Sequence, residues 1–371
     1  MVHGNSKAVN CGGVMIGGGA PVPIQSMTNT DTRDAWATAG QIQALAAAGC
    51  DIVRVAVPDM EAARALGEIK RMRGLPPIVA DIHFDYRLAI AAMEAGADKI
   101  RINPGNIGGR DNVKAVVECA KGRGVPIRVG VNAGSLERDL MEKHGGPTAG
   151  AAAESALRNI AMLEDLGFGD IVVSIKMSDI RANYEAHMIA AAATRHPFHI
   201  GVTESGYGPG GAAKSAVGIG ALLMAGIGDT IRVSLTGDPV NEVRLAAEIL
   251  KSLDLRDGAA HIVSCPTCGR CRVDLESLAR RVESGAHGLE KLAKGRAGQG
   301  KAGSITIAVM GCVVNGPGEA SNADIGVACG DGKGAIFRDG AVVKTVDEKD
   351  IAEELLRGAE EIWLERLGRA L

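Results

Sequence analysis

The sequence predicts an α/β protein with a (β/α)8 barrel over residues 1–255 and a small α+β domain over residues 256–371. Short β-rich apolar runs alternate eight times with Ala- and Leu-rich segments of helical spacing between residues 22 and 253. After Asp257 the pattern changes, and five of the eight cysteines fall in this last third. A chain of 371 residues also exceeds the usual size of one domain, so two domains are expected.

The alternating segments give the barrel its predicted elements in order. The predicted strands are residues 22–28, 52–58, 77–83, 99–105, 126–132, 170–176, 198–205 and 230–235. The predicted helices are residues 33–48, 60–73, 86–95, 111–124, 152–167, 179–196, 212–226 and 239–253. Strands that alternate with helices form parallel sheets through right-handed crossovers, and eight evenly spaced units favour a closed TIM barrel. An open doubly wound sheet is the alternative.

Two segments stand outside this repeat. Residues 9–21 are rich in glycine, and we interpret them as a β-hairpin that caps the barrel floor. A phosphate-binding loop is the alternative, but no strand precedes these glycines and no helix follows them. Residues 135–150 exceed the usual length of a βα loop and are expected to lie over the barrel mouth.

The second domain has its own sequence of predicted elements. A strand at residues 261–264 leads into a cysteine motif, and a helix at residues 274–292 follows. A Gly- and Lys-rich connector at residues 294–303 precedes a strand at residues 305–310. Further strands are predicted at residues 324–328, 335–338 and 341–345, before a charged helix that starts at Glu348. This mixture predicts a small α+β domain with a separate core.

Composition excludes several classes of function. A net charge of −3 argues against a nucleic-acid-binding protein that works by phosphate neutralisation. No apolar stretch is long enough to span a bilayer, and the N-terminus has no apolar signal core, so no membrane attachment is expected. We therefore expect a cytoplasmic protein whose thiols stay reduced, and we interpret the crowded cysteines as metal-binding or redox groups.

Basic residues interrupt five of the predicted barrel strands. They are Arg54, Arg101, Arg128, Lys176 and Arg232. Charges inside a barrel are costly unless they are paired or face a ligand at the C-terminal mouth, and arginine suits phosphate oxygens. The pattern predicts an anion site, whose hydrogen bonding could be completed by Asn103, Asn132, Ser135, Thr203 and Ser234. Alternatively, the cations pair with strand-end carboxylates such as Asp81 and Glu204 and only stabilise the barrel.

Three residues are candidates for proton transfer. Asp81 and His83 lie two apart on one strand, so their side chains share a face. This pair could do acid–base work, bind a metal, or form a structural hydrogen bond. Glu204 could donate a proton only if burial or a bound anion raised its pKa, because neighbouring arginines favour the ionised form.

The cysteine motif predicts a metal centre. Cys265 and Cys268 follow a predicted strand, and Cys312 lies in a second motif at residues 311–319. Soft thiolates suit an iron–sulfur cluster, whereas zinc would usually require four Cys or His ligands. The fourth ligand could be Cys271, as in an electron-transfer protein, or Glu319, which would leave one iron with a replaceable oxygen ligand. The spacing does not decide between them.

Seven segments together resemble one family. They are residues 23–30, 53–55, 80–84, 100–106, 130–136, 264–270 and 310–319. The chain resembles the 4-hydroxy-3-methylbut-2-enyl diphosphate synthases of the non-mevalonate isoprenoid pathway, in their short bacterial form. The resemblance implies a homodimer of two-domain chains in which the cluster domain of one subunit closes over the barrel mouth of the other. It also implies a [4Fe–4S] cluster held by Cys265, Cys268, Cys312 and Glu319.

The resemblance further implies a substrate and a reaction. The substrate is 2-C-methyl-D-erythritol 2,4-cyclodiphosphate, and two electrons from reduced flavodoxin or ferredoxin open its ring and remove an oxygen as water. The implied diphosphate-binding residues are Arg54, His83, Arg101, Asn103, Arg128, Asn132, Ser135, Lys176, Arg232 and Ser234, and we add Asp81 as a substrate-binding candidate. Thr203 and Glu204 are implied near the reacting oxygen, with Glu204 as the proton donor.

Two other functions are weighed against this reductase. One is a redox-inert barrel enzyme, such as an aldolase or a pterin-type synthase, with a structural zinc domain. The other is a ferredoxin-like electron-transfer module fused to a barrel, which would use Cys271 as its fourth cluster ligand.

Overall fold

The structure is a computed structural model that describes residues 5–297, 303–314 and 316–370. The chain forms two compact units that divide after Leu253. Each unit has its own sheet and its own core, and each is considered separately below. Among the helices described, none is long and apolar enough to cross a membrane.

A β-hairpin opens the first unit. Strands β1 (Val9–Cys11) and β2 (Val14–Ile16) pair in antiparallel fashion, and Gly12 and Gly13 take the positive φ angles that a two-residue hairpin turn requires. One face of the hairpin is fully buried against the first inward-facing residues of the barrel strands, including Val79. The predicted hairpin beneath the barrel is therefore confirmed.

Eight strands and nine helices follow, with one helix after each strand except β7, which two helices follow. The strands are β3 (Gln25–Met27), β4 (Ile52–Ala56), β5 (Ile78–Asp81), β6 (Lys99–Ile102), β7 (Ile127–Asn132), β8 (Ile171–Lys176), β9 (His199–Ile200) and β10 (Thr230–Ile231). The helices are α1 (Ala35–Ala47), α2 (Met60–Arg71), α3 (Tyr86–Glu94), α4 (Arg110–Arg123), α5 (Arg138–His144), α6 (Ala149–Asp165), α7 (Ile180–Ala193), α8 (Gly208–Met224) and α9 (Pro239–Lys251). Most of these helices begin at an Asp or Thr whose side chain accepts a hydrogen bond from the first turn, which fixes the start of the helix.

The strands form a ring of parallel neighbours. Strands β3 to β8 pair in chain order, and β9 pairs with β10. Parallel bridges between Val173 and Phe198 and between Ile24 and Ile231 join these two sheets at both edges. The ring agrees with the predicted (β/α)8 barrel, and it places the C-terminal ends of all eight strands at one mouth.

The long segment after β7 differs from the prediction of a loop. Residues 138–144 form helix α5, and α6 begins at Ala149, three residues earlier than predicted. Leu140 is the one fully buried anchor of α5, and Gly145 ends the helix in the left-handed conformation. A single buried residue leaves no apolar periodicity in the sequence, so the helix has no pattern by which it could be predicted.

The second unit is an α+β sandwich, as expected. Its strands are β11 (Ala260–Ser264), β12 (Ile305–Met310), β13 (Ile325–Gly330), β14 (Lys333–Arg338) and β15 (Ala341–Asp347), and its helices are α10 (Leu275–Ala297), α11 (Gly316–Ala320) and α12 (Ile351–Ala370). Strands β11 to β13 are parallel, and β13 to β15 form antiparallel hairpins. The core lies between the sheet and the two long helices, around Val282, Ile307, Val327 and Leu355. Part of the predicted connector, residues 298–302, lies outside the described residues.

Candidate active site

Side chains alternate between the two faces of each strand, and the predicted cations lie on the face that points into the barrel. Arg101 pairs in register with Asp81 on one side and with Arg128 on the other, and Lys176 pairs with Asn132. Since residues two apart on a strand share a face, the polar side chains of successive strands meet in the barrel interior. The first unit therefore collects polar groups at and below its mouth.

Asp81 organises one side of this group. Its Oδ2 lies 3.1 Å from His83 Nε2 and 3.8 Å from Arg54 Nη2, and its Oδ1 lies 3.5 Å from Arg101 Nη1. Burial opposes ionisation of this carboxyl, but the charges of Arg54 and Arg101 and the hydrogen bond from His83 hold its pKa well below its usual range. Asp81 is therefore an ionised anchor that orients two guanidinium groups. His83 shares its face, as the spacing predicts, but its side chain is 56% exposed.

Gly130 gives the Arg101 guanidinium its space. Arg101 Nη2 donates to the backbone oxygen of Gly130 over 3.1 Å. A Cβ atom at position 130 would collide with Nε of the same guanidinium. Arg101 is thus held from two sides, by the Asp81 carboxylate and by the β7 backbone.

Arg128 is the most buried guanidinium in the interior. It is 1% exposed, and its Nη1 donates to Ser174 Oγ over 3.0 Å. Its Nε and Nη2 have no hydrogen-bond partner within the described part of the chain. Burial, followed by repulsion from Arg54 and Arg101, lowers the pKa of Arg128 well below its ordinary value. An anion that accepted hydrogen bonds from these two N–H groups would give both donors a partner and would offset the repulsion from Arg54 and Arg101.

Lys176 and Arg232 line the opposite side. Lys176 is 7% exposed, and burial together with repulsion from Arg232 and Arg54 lowers its pKa well below the ordinary value. Burial lowers the pKa of Arg232 to about 10, although Glu242 offsets part of the effect. Arg232 Nε lies 3.7 Å from Glu242 Oε2. Among described side chains, the interior thus holds five predicted cations against two carboxylates, Asp81 and Glu242.

The remaining barrel candidates lie at strand ends and in the loops that follow. Asn103 is 5% exposed, and its Oδ1 accepts from the backbone of Gly105 over 3.2 Å. Ser234 and Thr203 are half-buried. Ser135 lies in a short 3₁₀ turn, and its side chain is not among those described.

Glu204 has an unusual backbone. Among the described residues other than glycine, it shares positive φ angles with three aspartates, a residue type that tolerates this region better. Such conformations cost free energy and cluster at functional sites. The side chain of Glu204 is exposed. Burial, one of the two conditions expected to favour proton donation, is therefore absent. The backbone oxygen of Glu204 accepts from Lys214 Nζ over 3.4 Å.

The cysteines of the second unit come together at one end of its sheet. Strands β11 and β12 pair Ser264 with Val309, so Cys265 and the turn at Gly311 follow neighbouring strand ends. The backbone N–H of Gly311 lies 3.3 Å from Cys265 Sγ, as donor to sulfur. Cys312 is buried in the same turn. Parallel pairing thus joins the two motifs that lie far apart in sequence.

Cys268 and Cys271 occupy different positions in this group. Cys268 is exposed, and its backbone oxygen accepts from the N–H of Cys271 over 2.9 Å. Cys271 Sγ points to the backbone oxygen of Val273, 3.3 Å away. A Cβ atom at Gly311 would lie 2.5 Å from that sulfur. Cys271 therefore packs between the loop and the turn.

The donor set fits an iron–sulfur cluster in chemical type. Thiols from two neighbouring turns are soft ligands of the kind that iron–sulfur clusters require. Glu319 lies on the short helix α11, but its side chain is outside the described set, as is Asn315 of the same motif. Among described side chains, no three Cys, His, Asp or Glu residues converge closely enough to hold a metal ion.

Several residues of the site were not predicted. Ser174 supports Arg128, and Gly130 makes room for Arg101; each lies two residues from a predicted residue on the same strand, so strand parity could have found it. Glu242 lies on helix α9 and accepts from Ser26 Oγ and from the backbone of Leu235, both over 3.0 Å. No strand pattern points to a helix residue that reaches into the barrel.

Comparison with known proteins agrees with these two units. The GcpE TIM-barrel domain matches residues 6–247, and the GcpE protein C-terminal domain matches residues 261–361. A relative from Geobacter sulfurreducens is 53% identical over 361 residues, which cover 97% of this chain and 99% of the relative. A relative from Caldanaerobacter subterraneus is 52% identical, and the match covers 96% of this chain and 97% of the relative. A relative from Shouchella clausii is 54% identical, and the match covers 95% of this chain and 92% of the relative. All three are named 4-hydroxy-3-methylbut-2-en-1-yl diphosphate synthase (flavodoxin). The resemblance found in the sequence is thereby confirmed, and the chain belongs to the GcpE family.

Proposed function

We propose that this chain is an oxidoreductase that converts 2-C-methyl-D-erythritol 2,4-cyclodiphosphate into 4-hydroxy-3-methylbut-2-en-1-yl diphosphate. The net reaction consumes two electrons and protons, opens the ring, and releases one oxygen as water. The observation that carries the proposal is the excess of buried cations in the barrel, in a chain whose relatives are named for this diphosphate product.

The barrel interior binds and orients the diphosphate. Four strands carry Arg54, Arg101, Arg128 and Lys176, and Arg232 directly follows β10, so positive charge comes from five places around the barrel. Nε and Nη2 of Arg128 are buried and have no hydrogen-bond partner among the described residues. Donors fixed in advance cost no reorganisation as negative charge moves to the leaving oxygen. His83, Asn103, Asn132, Ser135 and Ser234 complete the binding surface.

Asp81 acts through the arginines and does not bind the anion itself. Its carboxylate is ionised and would repel a diphosphate, but it contacts Arg54, Arg101 and His83. A carboxylate in this position sets the direction of the two guanidinium groups. Asp81 is thus a positioning residue. It supports substrate binding through the two arginines and not by direct contact with the diphosphate.

Glu204 is the proposed proton donor, with Thr203 beside it. The left-handed backbone at Glu204 fixes the direction of the loop after β9, and the exposed carboxyl can meet a substrate at the mouth. In the proposed step, the Glu204 carboxyl gives its proton to the oxygen that leaves as water.

The second unit would hold a [4Fe–4S] cluster through Cys265, Cys268, Cys312 and Glu319. When bound, such a cluster passes electrons one at a time and offers a Lewis-acidic iron. The contact of Cys271 with Val273 and its packing against Gly311 support a structural role for that thiol. The relatives' names support flavodoxin as the electron donor. The homodimer, with the cluster domain of one subunit serving the barrel of the other, rests on the family resemblance.

Anaerobic reconstitution with iron and sulfide tests this function. The brown protein should convert the cyclodiphosphate into one diphosphate product when reduced flavodoxin is added, and product formation should stop without the reductant. A colourless, zinc-loaded protein that leaves the cyclodiphosphate intact would instead support a redox-inert barrel enzyme. Reconstituted protein that passes electrons to an acceptor but never consumes the substrate would support an electron-transfer module.

The fourth ligand is tested by a pair of variants. Glu319→Ala should lose most of the cluster or alter its electron paramagnetic resonance spectrum, whereas Cys271→Ser should keep both the iron content and the spectrum. The reverse pattern would assign the fourth position to Cys271.

A further inference from the structure

Lys99 is a buried base that the proposed mechanism does not use. It begins strand β6, two residues before Arg101, so its side chain enters the barrel on the same inner face. It is fully buried, and its Nζ has no hydrogen-bond partner among the described residues. An ammonium group in such a place destabilises the fold unless something offsets its charge.

No carboxylate among the residues that the structure describes pairs with Lys99. The groups that act electrostatically on Lys99 are the Cys11 thiol of the hairpin and Arg128 on β7. Val79 lies beside it on β5 and also packs against the hairpin. The carboxylate nearest in sequence, Asp98, is already paired with Lys70 at 2.6 Å.

His199 is a second buried base in the same interior. It lies on β9, is fully buried, and neither ring nitrogen has a hydrogen-bond partner in the described structure. The charges that act on it come from Arg128, Lys176, Lys99 and Arg54. Lys99 and His199, at the first residues of their strands, thus form a second set of buried bases that lack acidic partners within the described part of the chain.

Arg128 links this second set of bases to the anion site. Burial and the charge of Arg128 oppose protonation of Lys99, and together with the offsetting effect of the Cys11 thiol they place its pKa at about 8. An anion that neutralised Arg128 would remove part of that repulsion and would attract a proton to Lys99. Linkage is reciprocal, so protonated Lys99 must in turn strengthen binding of the anion.

We propose that Lys99 is a positioning residue for the anion site, whose amine gains a proton when the diphosphate binds and whose added charge tightens that binding. This inference rests on the proposed function, because it takes the cyclic diphosphate as the anion. It explains why the barrel keeps a base in a position where an apolar side chain would be more stable.

Isothermal titration calorimetry measures the proton uptake directly. The cluster-loaded protein, kept anaerobic and without reductant, is titrated with the cyclodiphosphate near pH 8 in buffers of different ionisation enthalpy. The wild type should show a buffer-dependent heat that corresponds to net uptake of protons, and its affinity should fall as the pH is raised. Lys99→Met should reduce the uptake and weaken binding roughly fivefold, at the low end of coupling between two sites.

Two further variants keep the test specific. Lys70→Met removes a lysine that is paired with Asp98, and it should leave uptake and affinity unchanged. His199→Gln should leave the uptake near pH 8 unchanged, because burial and the surrounding cations hold the pKa of His199 well below its ordinary value. Binding whose heat does not depend on the buffer, or an uptake equal in wild type and Lys99→Met, would overturn the role of Lys99. Failure of the wild type to bind the cyclodiphosphate would overturn the proposed function first and this inference with it.

Discussion

The two units prepare their sites to different degrees. In the barrel, protein contacts already direct the binding groups, since Asp81 and Gly130 hold Arg101 and Ser174 holds Arg128. In the second unit, strand pairing brings the cysteine turns together, but no three described ligand side chains converge on a metal position. The comparison shows that contacts within the first unit orient the anion-binding groups, whereas strand pairing in the second unit brings together the turns that carry the cysteines.

The largest expected effect is on the second unit. Cys312→Ser should abolish the cluster and reduce turnover to below about a hundredth of wild type, since a lost thiolate ligand cannot be replaced by a hydroxyl. Iron content, visible absorption and product formation check this. Cys119→Ser, a half-buried cysteine of the barrel unit, is the matched control and should keep all three. A Cys312→Ser protein with normal iron and turnover would remove the second unit from the reaction.

The next effect separates binding from cluster assembly. Arg128→Ala should leave the iron content unchanged but raise KM for the cyclodiphosphate by about 10- to 150-fold, as expected for loss of a charge-assisted contact of about 1.5–3 kcal/mol. Arg123→Ala, an exposed arginine at the end of α4, is the control. Unchanged steady-state kinetics in Arg128→Ala would show that the barrel interior does not hold the diphosphate.

The free energy of unfolding measures how much the buried charge of Lys99 destabilises the barrel. Below about pH 8, Lys99 is protonated and buried without a partner, so Lys99→Met should be more stable than wild type by roughly 2–4 kcal/mol. Because the folded pKa of this base is depressed, the advantage should shrink as the pH rises from about 8 towards the ordinary lysine value near 10.5. Denaturant unfolding at several pH values checks this sign. A variant less stable than wild type at neutral pH would contradict the account of Lys99 as a costly buried base.

The smallest effect tests how rigidly the barrel site is held. Gly130→Ala places a methyl group against the Arg101 guanidinium and should raise KM about 3- to 10-fold, by turning that group away from its two acceptors. Gly122→Ala, on helix α4 with open space around it, should leave KM unchanged. Equal kinetics in both variants would mean that the direction of Arg101 does not matter for binding.

Local patterns predict most of the fold and part of the site. The β/α alternation and the parity of Arg54, Arg101 and Arg128 are readable because each depends on neighbours in sequence. Glu242 could not be predicted, since its approach to Arg232 depends on how α9 packs across the barrel. The sequence predicted Lys99 only as the first residue of a strand, and nothing local shows that the hairpin packs against Val79, its neighbour on β5. The boundaries of β9 and β10, two paired residues each, are likewise set by barrel closure.

A single-turnover experiment tests the central claim that the barrel anion site and the cysteine centre serve one reaction. The reconstituted protein is mixed anaerobically with the cyclodiphosphate and with reductant that supplies the two electrons per chain that one turnover consumes, while visible absorption and product are followed. The account predicts that the absorption of the oxidised cluster returns as the diphosphate product forms, and that Arg128→Ala responds only at much higher substrate concentration. A cluster that stays reduced while the wild-type protein binds the cyclodiphosphate would contradict it.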